Sequence, residues 1–354
     1  MIFTQRLYRN GITARYRHTA TLLSNGKVLI TGGLGTVSGT TGVLSSAELY
    51  DPSTGTFTAT GNLVNARQQH TATLLSNGKV LIAGGVNSAT TYSTATTLSS
   101  TELYDPSNGT FSTSGTMSSV RSGHTATLLS NGKVLIVGRG SSSSAVADIY
   151  DPSTGVCTRS NALYTISTNN SINPFVHAAT LLSNGKVLIS GGLYTSALSF
   201  SALYDSSADT FTATGSLNTA RYSHTAALLS GGTVLIAGGN AATSNSVLAS
   251  AEIYDPSTGK YSITGSMANG RTDHSMVTLP NGNVLVTGGY AYNNSTYYAT
   301  AELYDVAKGT FSSIGSMNTT RSEHQSVLLQ NNKVLITGGS NDSAYLSSAE
   351  LYTP

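Results

Sequence analysis

The sequence is poor in cysteine, tryptophan and charge, and each shortage excludes a class of protein. Its 354 residues include one cysteine, Cys157, and no tryptophan. A single cysteine excludes an intrachain disulfide and any multi-cysteine metal site. No apolar run approaches the ~18 residues that a membrane span requires, and residues 1–10 lack the apolar core of a signal peptide. We therefore expect no membrane span.

Charge is the second shortage. Charged residues make up 10% of the chain, against roughly 25% in an average soluble domain. The net charge of +2 at pH 7 gives no basic stripe of the kind that nucleic-acid-binding proteins show, so we expect no nucleic-acid partner. Ser, Thr, Gly and Asn take the place of the charges. Such a hydroxyl-rich surface favours an extracellular protein over a cytoplasmic one.

What the sequence has in abundance is repetition. The stretch His-Thr-Ala-Thr-Leu-Leu-Ser-Asn-Gly-Lys-Val-Leu-Ile-Ala-Gly-Gly begins at His70 and recurs in similar form along the whole chain. Successive copies start 47 to 54 residues apart. The copies start at all seven histidines of the protein: His18, His70, His124, His177, His224, His274 and His324. A fixed period near 50 indicates a repeat architecture.

Each repeat predicts four short strands. Asn77-Gly78 and its equivalents supply the positive φ angles of a tight hairpin turn. The apolar stretch that follows is typical of a strand covered on both faces. It ends in a glycine pair, such as Gly84-Gly85, which permits close approaches that a Cβ would block. A third strand, a turn and a fourth strand with one large residue complete the unit.

The predicted fold is all-β, a seven-bladed β-propeller with four antiparallel strands in each blade. The blades start near residues 18, 70, 124, 177, 224, 274 and 324, and residues 1–354 are expected to form a single domain. Blade seven has no fourth strand after Tyr352. We expect residues 1–6 to supply its outer strand and close the ring, because closure removes an exposed sheet edge.

These repeats resemble kelch repeats. The resemblance rests on the glycine pair after an apolar strand, Glu-x-Tyr-Asp, an aromatic on the fourth strand, and Arg-x-x-His before the next blade. It covers essentially the whole chain, although Phe or Tyr replaces the usual fourth-strand tryptophan. The resemblance implies a seven-bladed ring with ligand contacts on one face. It implies no single activity, because kelch propellers include protein-binding modules, galactose oxidase and sugar mutarotases.

Two sets of residues differ from blade to blade while the turns stay nearly constant: the loops after the glycine pairs and the residues just before each histidine. Both sets are expected at one face, and variable loops on a rigid scaffold are the usual place for binding residues. The candidate binding residues are Tyr16, Arg17, Gln68, Gln69, Arg139, Tyr194, Tyr222, Asn240, Asp273, Tyr290, Tyr292, Glu323 and Asn341. Tyrosines and amides suit an uncharged polar ligand.

The leading hypothesis is a non-enzymatic binding propeller that recognises a carbohydrate or a protein partner on this variable face. The alternative is a sugar-processing enzyme of the mutarotase or hydrolase type, with Asp273, Glu323 and Arg17 as proton-transfer groups. A third possibility is a structural or adhesive surface module. We expect no cofactor and no metal. Copper chemistry of the galactose oxidase type is disfavoured, because every histidine has the same repeat position and Cys157 stands where other blades place a buried Phe.

A covariation inside the chain predicts ion pairs within the blades. An arginine lies three residues before six of the histidines, and an acid lies two residues before the third-strand tyrosine. Blade four breaks both rules, with Pro174 and Ala202 at the two positions, which suggests that the partners belong to one blade. The predicted structural pairs are Arg15–Glu48, Arg67–Glu102, Arg121–Asp148, Arg221–Glu252, Arg271–Glu302 and Arg321–Glu350.

Overall fold

The computed structural model describes residues 2–7, 13–37, 39–90, 96–138, 147–160, 165–167, 170–171, 176–241 and 246–354. Within these ranges every regular element is a β-strand, and no helix could span a membrane. Antiparallel pairing organises the strands into seven four-stranded sheets, with a few short additional pairs in the loops.

The strands have the following bounds. Up to residue 116 they are β1 (Ile2–Leu7), β2 (Arg15–Tyr16), β3 (Thr19–Leu22), β4 (Val28–Thr31), β5 (Leu34–Val37), β6 (Thr40–Val43), β7 (Ala47–Asp51), β8 (Thr56–Ala59), β9 (Thr71–Leu74), β10 (Val80–Ala83), β11 (Ser100–Asp105) and β12 (Thr110–Thr116). Up to residue 237 they are β13 (Thr125–Leu128), β14 (Val134–Val137), β15 (Ala147–Asp151), β16 (Val156–Arg159), β17 (Thr165–Ser167), β18 (Asn170–Ser171), β19 (Ala178–Leu181), β20 (Val187–Ser190), β21 (Ser201–Asp205), β22 (Thr210–Ala213), β23 (Thr225–Leu228) and β24 (Val234–Ala237). The remaining strands are β25 (Ala251–Asp255), β26 (Lys260–Ile263), β27 (Ser275–Thr278), β28 (Val284–Thr287), β29 (Tyr290–Ala291), β30 (Thr296–Tyr297), β31 (Thr300–Asp305), β32 (Thr310–Ser316), β33 (Gln325–Leu328), β34 (Val334–Thr337) and β35 (Ala349–Thr353).

The seven blades follow one another along the chain. From inner to outer strand, blades one to seven are β3-β4-β7-β8, β9-β10-β11-β12, β13-β14-β15-β16, β19-β20-β21-β22, β23-β24-β25-β26, β27-β28-β31-β32 and β33-β34-β35-β1. The innermost strand of each blade contacts the innermost strand of the next, and β33 contacts β3 in the same way. The predicted seven-bladed propeller is confirmed.

The N-terminal strand closes the ring as predicted. β1 pairs antiparallel with β35, and Ile2 lies opposite Thr353 and Phe3 opposite Tyr352. The first strand of the chain therefore completes the last blade, and each end of the chain is paired with the other. A ring closed in this way leaves no blade with an unpaired third strand, which would otherwise be an exposed sheet edge.

The hydrophobic core lies between the blades. All four residues of every second strand are buried, for example in β10. One cluster joins Leu29 of blade one to Val80 and Ile82 of blade two, and equivalent clusters repeat around the ring. Because each sheet is covered on both faces, its second strand is buried along its whole length; it begins with three aliphatic residues in every blade and ends in Ser or Thr in four of them.

The glycine pairs allow the blades to approach each other closely. A Cβ at Gly84 would lie 2.6 Å from the carbonyl oxygen of Arg121 and 2.8 Å from Cε1 of His124, both in the next blade. The φ angles of Gly84 and Gly85 are 59° and 97°, a region that side chains other than glycine rarely occupy. Gly85 N–H donates to Arg121 O at 2.8 Å. The pair therefore serves as the contact surface between consecutive blades.

Six arginines are fully buried, each against an acid of its own blade. The six contacts are Arg15–Glu48, Arg67–Glu102, Arg121–Asp148, Arg221–Glu252, Arg271–Glu302 and Arg321–Glu350. In blade two, Arg67 Nη1 also donates to Gly84 O at 2.6 Å, and Glu102 accepts the N–H groups of Val64 and Asn65. These pairs join the third strand to the chain segment that enters the blade.

Blade four differs from the others at this position. Ala202 is buried where the other blades place an acid, and Pro174 lies outside the described residues. Burial of a lone carboxylate without its arginine would cost several kcal/mol. The loss of the acid from blade four is therefore consistent with the loss of the arginine.

We predict that the Arg67–Glu102 pair is required for stability. Arg67→Ala should lower the free energy of unfolding by about 3–5 kcal/mol, because it leaves a buried carboxylate unpaired. Arg67→Ala/Glu102→Ala should lose less than the sum of the two single variants. Lys79→Ala is the matched control: its ion pair with Asp105 is half-exposed (41% and 26%), so the cost should be below about 1 kcal/mol. Additive losses at Arg67 and Glu102 in chemical denaturation would contradict the pairing.

Candidate functional site

The residue before each histidine has the same unusual backbone conformation. Its φ lies between 50° and 58° in all seven blades, in the left-handed region. Only one of the seven is glycine, and a branched residue is among the others, although L-residues adopt this conformation at a cost. The seven are Arg17, Gln69, Gly123, Val176, Ser223, Asp273 and Glu323.

Backbone hydrogen bonds join these residues from blade to blade. Gln69 N–H donates to Arg17 O at 3.2 Å, Val176 N–H to Gly123 O at 2.9 Å, and Glu323 N–H to Asp273 O at 2.9 Å. The bonds explain how non-glycine residues are held in a strained conformation. We call the seven positions the axial ring. Such bonds run from Arg17 to Ser223 along the ring and again from Asp273 to Glu323, and all seven positions share the left-handed conformation although their side chains differ.

The axial ring surrounds one end of a channel along the propeller axis. This axial channel has a volume of about 510 Å³ and is lined by residues of five innermost strands and by five of the seven histidines. Small residues such as Thr71, Ala72 and Thr125 line its wall. The alanine- and threonine-rich first strands therefore leave an open axis, where larger side chains would fill it.

The seven histidines are buried and hold neighbouring blades together. His70 Nε2 lies 3.1 Å from Thr31 Oγ1 of blade one, and His18 Nε2 lies 3.1 Å from Thr337 Oγ1 across the ring closure. Each of the other five contacts a hydroxyl of the preceding blade in the same way. Burial, followed by the charge of neighbouring arginines, lowers the pKa of His18 to about 3. These imidazoles are therefore neutral packing groups.

A second cavity lies at the variable face, between blades six, seven and one. We call it the tyrosine pocket. Its volume is about 330 Å³. It is lined by Tyr16, Arg17, Asp273, Tyr290, Tyr292, Tyr297, Ser322, Glu323, Ser340, Asn341 and Tyr345. Three of these residues, Arg17, Asp273 and Glu323, also line the axial channel, so the two cavities meet at the axial ring.

The five tyrosine rings of the pocket form two groups. Tyr16 stacks on Tyr345, with ring centroids 4.7 Å apart and planes at 22°. Tyr290 contacts Tyr292 edge to face, at 4.8 Å and 88°, and also contacts Tyr297 at 4.5 Å. The short β29–β30 hairpin places Tyr290 directly opposite Tyr297. Ring closure brings the two groups to one cavity, because it sets blade one beside blade seven.

The charged groups of the pocket are not equivalent. Arg17 Nε donates to Glu323 Oε1 at 2.7 Å, and both side chains keep about a quarter of their surface exposed (26% and 22%). Arg17 also lies over the Tyr16 ring, 5.1 Å from its centroid. Loss of solvation, followed by the negative charge of Glu323, raises the pKa of Asp273 to about 7, although Arg17 acts in the opposite direction. The charge of Glu323 is thus compensated by Arg17, whereas the pKa of Asp273 lies close to neutral pH.

Several predicted binding residues lie elsewhere. Gln68 is fully buried and donates from Nε2 to Ser88 O, and Asn240 is buried and donates to Thr272 Oγ1. Both therefore hold loops in place and offer little to a ligand. Gln69 lines the axial channel. Tyr194 is 46% exposed on blade four and lines neither cavity.

Three predicted binding residues remain: Tyr222, Asn341 and Arg139. Tyr222 bridges to the backbone of Asn240, and the charge of Asp273 helps to raise its pKa, after burial, so it adjoins the pocket from blade five. Asn341 lines the pocket, and its Oδ1 accepts the N–H groups of Ser343 and Ala344. Arg139 lies outside the described residues.

Sequence reasoning did not select Ser322 and Ser340, which line the pocket and pair through their backbones at 2.9 Å. Serine is so abundant in this chain that it carries no signal. Tyr297 and Tyr345 stand in variable loops, like the predicted tyrosines. A rule that selected every variable-face tyrosine of adjacent blades would have found both.

Cys157 lies away from the variable-face site. It sits on the outer strand β16, opposite Tyr150, and packs against the core between blades two and three. Burial raises the pKa of its thiol to about 12. This location matches its expected role as a substitute for the fourth-strand aromatic of the other blades.

Comparison with known proteins agrees with this architecture. The family described as Kelch motif matches residues 70–118 and 221–268, which are blades two and five, so the kelch resemblance is confirmed. No curated protein sequence gives a significant match. A solved fungal alcohol oxidase of the AA5 family, in complex with copper, has the same fold: the TM-score is 0.79, the identity is 17%, and the match covers 100% of this chain and 76% of the oxidase chain. At this identity the likeness shows the fold alone.

In the described part of the chain, no three side chains of the His, Cys, Asp or Glu type come together as metal ligands. The histidine Nε2 atoms are engaged with hydroxyls between blades, and Cys157 packs on an outer strand. The residues do not fit a bound copper ion, and we derive no step through one.

The buried histidines predict a loss of stability in mild acid. Burial lowers the pKa of His18, His124 and His274 to about 3 and places those of His70, His224 and His324 well below 6.5. As the pH falls from 6.5 towards 4, the unfolded chain therefore binds protons that the folded protein excludes, and the free energy of unfolding decreases. Urea unfolding at pH 7.5 and 5.0 should show this decrease.

Asp273 provides the control for that measurement. Its raised pKa means that the folded protein holds a proton that the unfolded chain lacks between about pH 4 and 7, so this group opposes the histidines. Asp273→Asn should therefore make the loss of stability between pH 7.5 and 5.0 larger. Equal stability at the two pH values in the unsubstituted protein would show that the histidines are protonated when folded.

Proposed function

We propose that this kelch-repeat β-propeller is a binding module that holds a carbohydrate in the tyrosine pocket. The observation that carries the proposal is the composition of that cavity: five tyrosines, two serines and an asparagine around about 330 Å³ between three blades. Pockets for small ligands have volumes of roughly 300–1,000 Å³ and combine aromatic walls with a few polar groups. The cavity has both properties.

The tyrosines supply both kinds of contact that a sugar needs. A sugar ring presents apolar C–H groups and hydroxyls, while tyrosine presents a ring face for stacking and a hydroxyl for hydrogen bonds. Tyrosine also loses little rotamer entropy on binding. In this pocket the rings already contact one another, which restricts their motion before any ligand arrives. Preorganisation of this kind reduces the cost of association.

The position of the pocket supports a ligand that approaches the axis. Arg17, Asp273 and Glu323 line the pocket and the axial channel together, so the polar end of a ligand in the pocket would face the channel opening. A protein partner would need a flat surface of roughly 800 Å² on this side of the interface. A cavity between loops favours the smaller ligand, and a protein partner is an outcome that the binding test can reveal.

A second candidate function is acid–base catalysis on a bound sugar. The specific observation in its favour is the contrast between two neighbouring carboxyls: Asp273 has a pKa raised to about 7, whereas Glu323 forms an ion pair with Arg17. Carboxyls whose environments differ in this way can act as a proton donor and a proton acceptor. Asp273 would be the group that gains and loses the proton near neutral pH.

We predict that Tyr290→Ala/Tyr292→Ala reduces binding by roughly 5- to 150-fold, since it removes two ring contacts of ~0.5–1.5 kcal/mol each. A glycan array identifies the sugar, and calorimetry then compares the variants. Lys79→Ala/Lys133→Ala on the opposite face is the control and should bind normally, because both lysines pair with aspartates of the turns there. Thermal melting verifies that each variant is folded. If the tyrosine variant binds normally and the lysine variant loses binding, the site lies on the opposite face and this proposal is wrong.

The catalytic candidate predicts a separate result. With the sugar identified by the array, the protein should convert it at a measurable rate, followed by NMR, and Asp273→Asn should lower that rate by at least about 100-fold while the sugar still binds. The tyrosine variant should instead lose binding. If the unsubstituted protein binds the sugar and leaves it unchanged at every pH from 5 to 8, the protein is a binding module only.

A further inference from the structure

The charges that line the tyrosine pocket do not cancel. Among the described residues that line it, Arg17 is the one cation, and it pairs with Glu323 at 2.7 Å. Asp273 lines the same cavity and forms no ion pair with any of the described residues. The pocket therefore contains one carboxyl more than its cations compensate.

We propose that the ligand of the tyrosine pocket carries an organic ammonium group, which sits against the Asp273 carboxylate and the adjacent tyrosine rings. This proposal rests on the proposed function, because it assumes that the pocket binds a ligand. It narrows the ligand class from neutral carbohydrates to molecules with a fixed or protonated amine. An amino sugar and a quaternary ammonium compound share this chemistry.

The tyrosine rings support a cationic ligand. The faces of aromatic rings attract cations within about 6 Å of the centroid. The rings of Tyr290 and Tyr292 stand at 88° to each other, so they present faces in two directions around one corner. The protein already contains such contacts: Arg17 lies 5.1 Å from the Tyr16 centroid and Arg271 5.1 Å from the Tyr298 centroid.

The electrostatic field at the rings has the sign that a cation requires. After burial, the charges of Asp273 and Glu323 raise the pKa of Tyr292, and Arg17 only partly opposes them. Burial and the charge of Tyr290 are the largest causes that raise the pKa of Tyr297, and the charges of Glu323, Asp342 and Asp273 raise it further. A negative field disfavours the loss of a proton from tyrosine, and it attracts an ammonium group for the same reason.

A neutral sugar would leave this field uncompensated. On binding, it would displace water from Asp273 and offer no positive charge in return, so the carboxyl, whose pKa is raised to about 7, would become protonated or remain an unpaired charge without its water, and it would gain no ion pair in either state. An ammonium group supplies the missing charge and donates hydrogen bonds to a carboxylate that accepts them. The uncompensated Asp273 carboxyl should therefore make the binding free energy of a ligand with an ammonium group more favourable than that of a neutral sugar.

Four small probes test this proposal by calorimetry at pH 7: glucosamine, N-acetylglucosamine, glucose and choline. N-acetylglucosamine carries an acetyl group that removes the charge of the glucosamine nitrogen, and glucose is a neutral probe without that added group. We expect glucosamine to bind at least tenfold more tightly than N-acetylglucosamine and glucose. Choline binding as tightly as glucosamine would assign the site to the ammonium group alone, and weak choline binding would assign it to an amino sugar.

Two matched variants locate the contact. Asp273→Asn should remove the tenfold advantage of glucosamine over glucose and N-acetylglucosamine, because it removes the carboxylate that the ammonium group contacts. Asp342→Asn removes a carboxylate from the same face but outside the pocket lining, and it should change the preference by less than threefold. Thermal melting of both variants verifies the fold.

The outcomes separate this proposal from the function it rests on. Equal binding of glucosamine, its N-acetyl derivative and glucose would overturn the ammonium proposal and leave the carbohydrate function standing. If choline binds and none of the sugars does, the ammonium proposal stands and the carbohydrate function is wrong. If none of the four probes binds while the glycan array gives a neutral sugar, the ammonium proposal alone is wrong; if the array also gives none, both are wrong.

Discussion

The structure depends on one close contact between consecutive blades. In six of the seven blades, a glycine pair at the end of the second strand packs against the Arg-x-x-His segment of the next blade, where a Cβ would lie under 3 Å from the arginine carbonyl and the histidine ring. The arginine is in turn held by a buried acid, and the histidine by a hydroxyl of the preceding blade. Each blade is thus positioned by its neighbour, and the closing strand completes the circle.

The same contact creates the variable site. Just before each histidine, the chain passes through a left-handed residue, and backbone bonds between neighbouring blades stabilise that conformation for side chains as different as those of Gln69, Val176 and Glu323. The backbone at this position therefore has the same conformation in every blade, whereas the side chain differs. Blades six, seven and one carry Asp273, Glu323 and Arg17 there, and these three residues bring charge to an otherwise charge-poor protein.

Arginine–acid ion pairs occur in two settings in this molecule, which differ in solvent exposure and therefore in role. The six arginine–acid pairs inside the blades are fully buried, with additional hydrogen bonds from the backbone, and removal of one partner leaves an isolated charge. The Arg17–Glu323 pair remains partly open to water at a cavity. Its groups can exchange a partner for a ligand at modest cost, whereas the buried pairs cannot.

The sequence alone determined the features that recur: seven repeats, four strands in each, hairpin turns, and arginine and acid positions that vary together in blade four. Repetition makes such features visible, because one local rule is tested seven times. Only the tertiary structure decided which variable residues meet. Arg17 and Glu323 lie 306 positions apart and become neighbours through ring closure, while Gln68 and Asn240 turn inward. Burial of a loop side chain depends on packing against other loops, and each of these loops occurs only once in the chain.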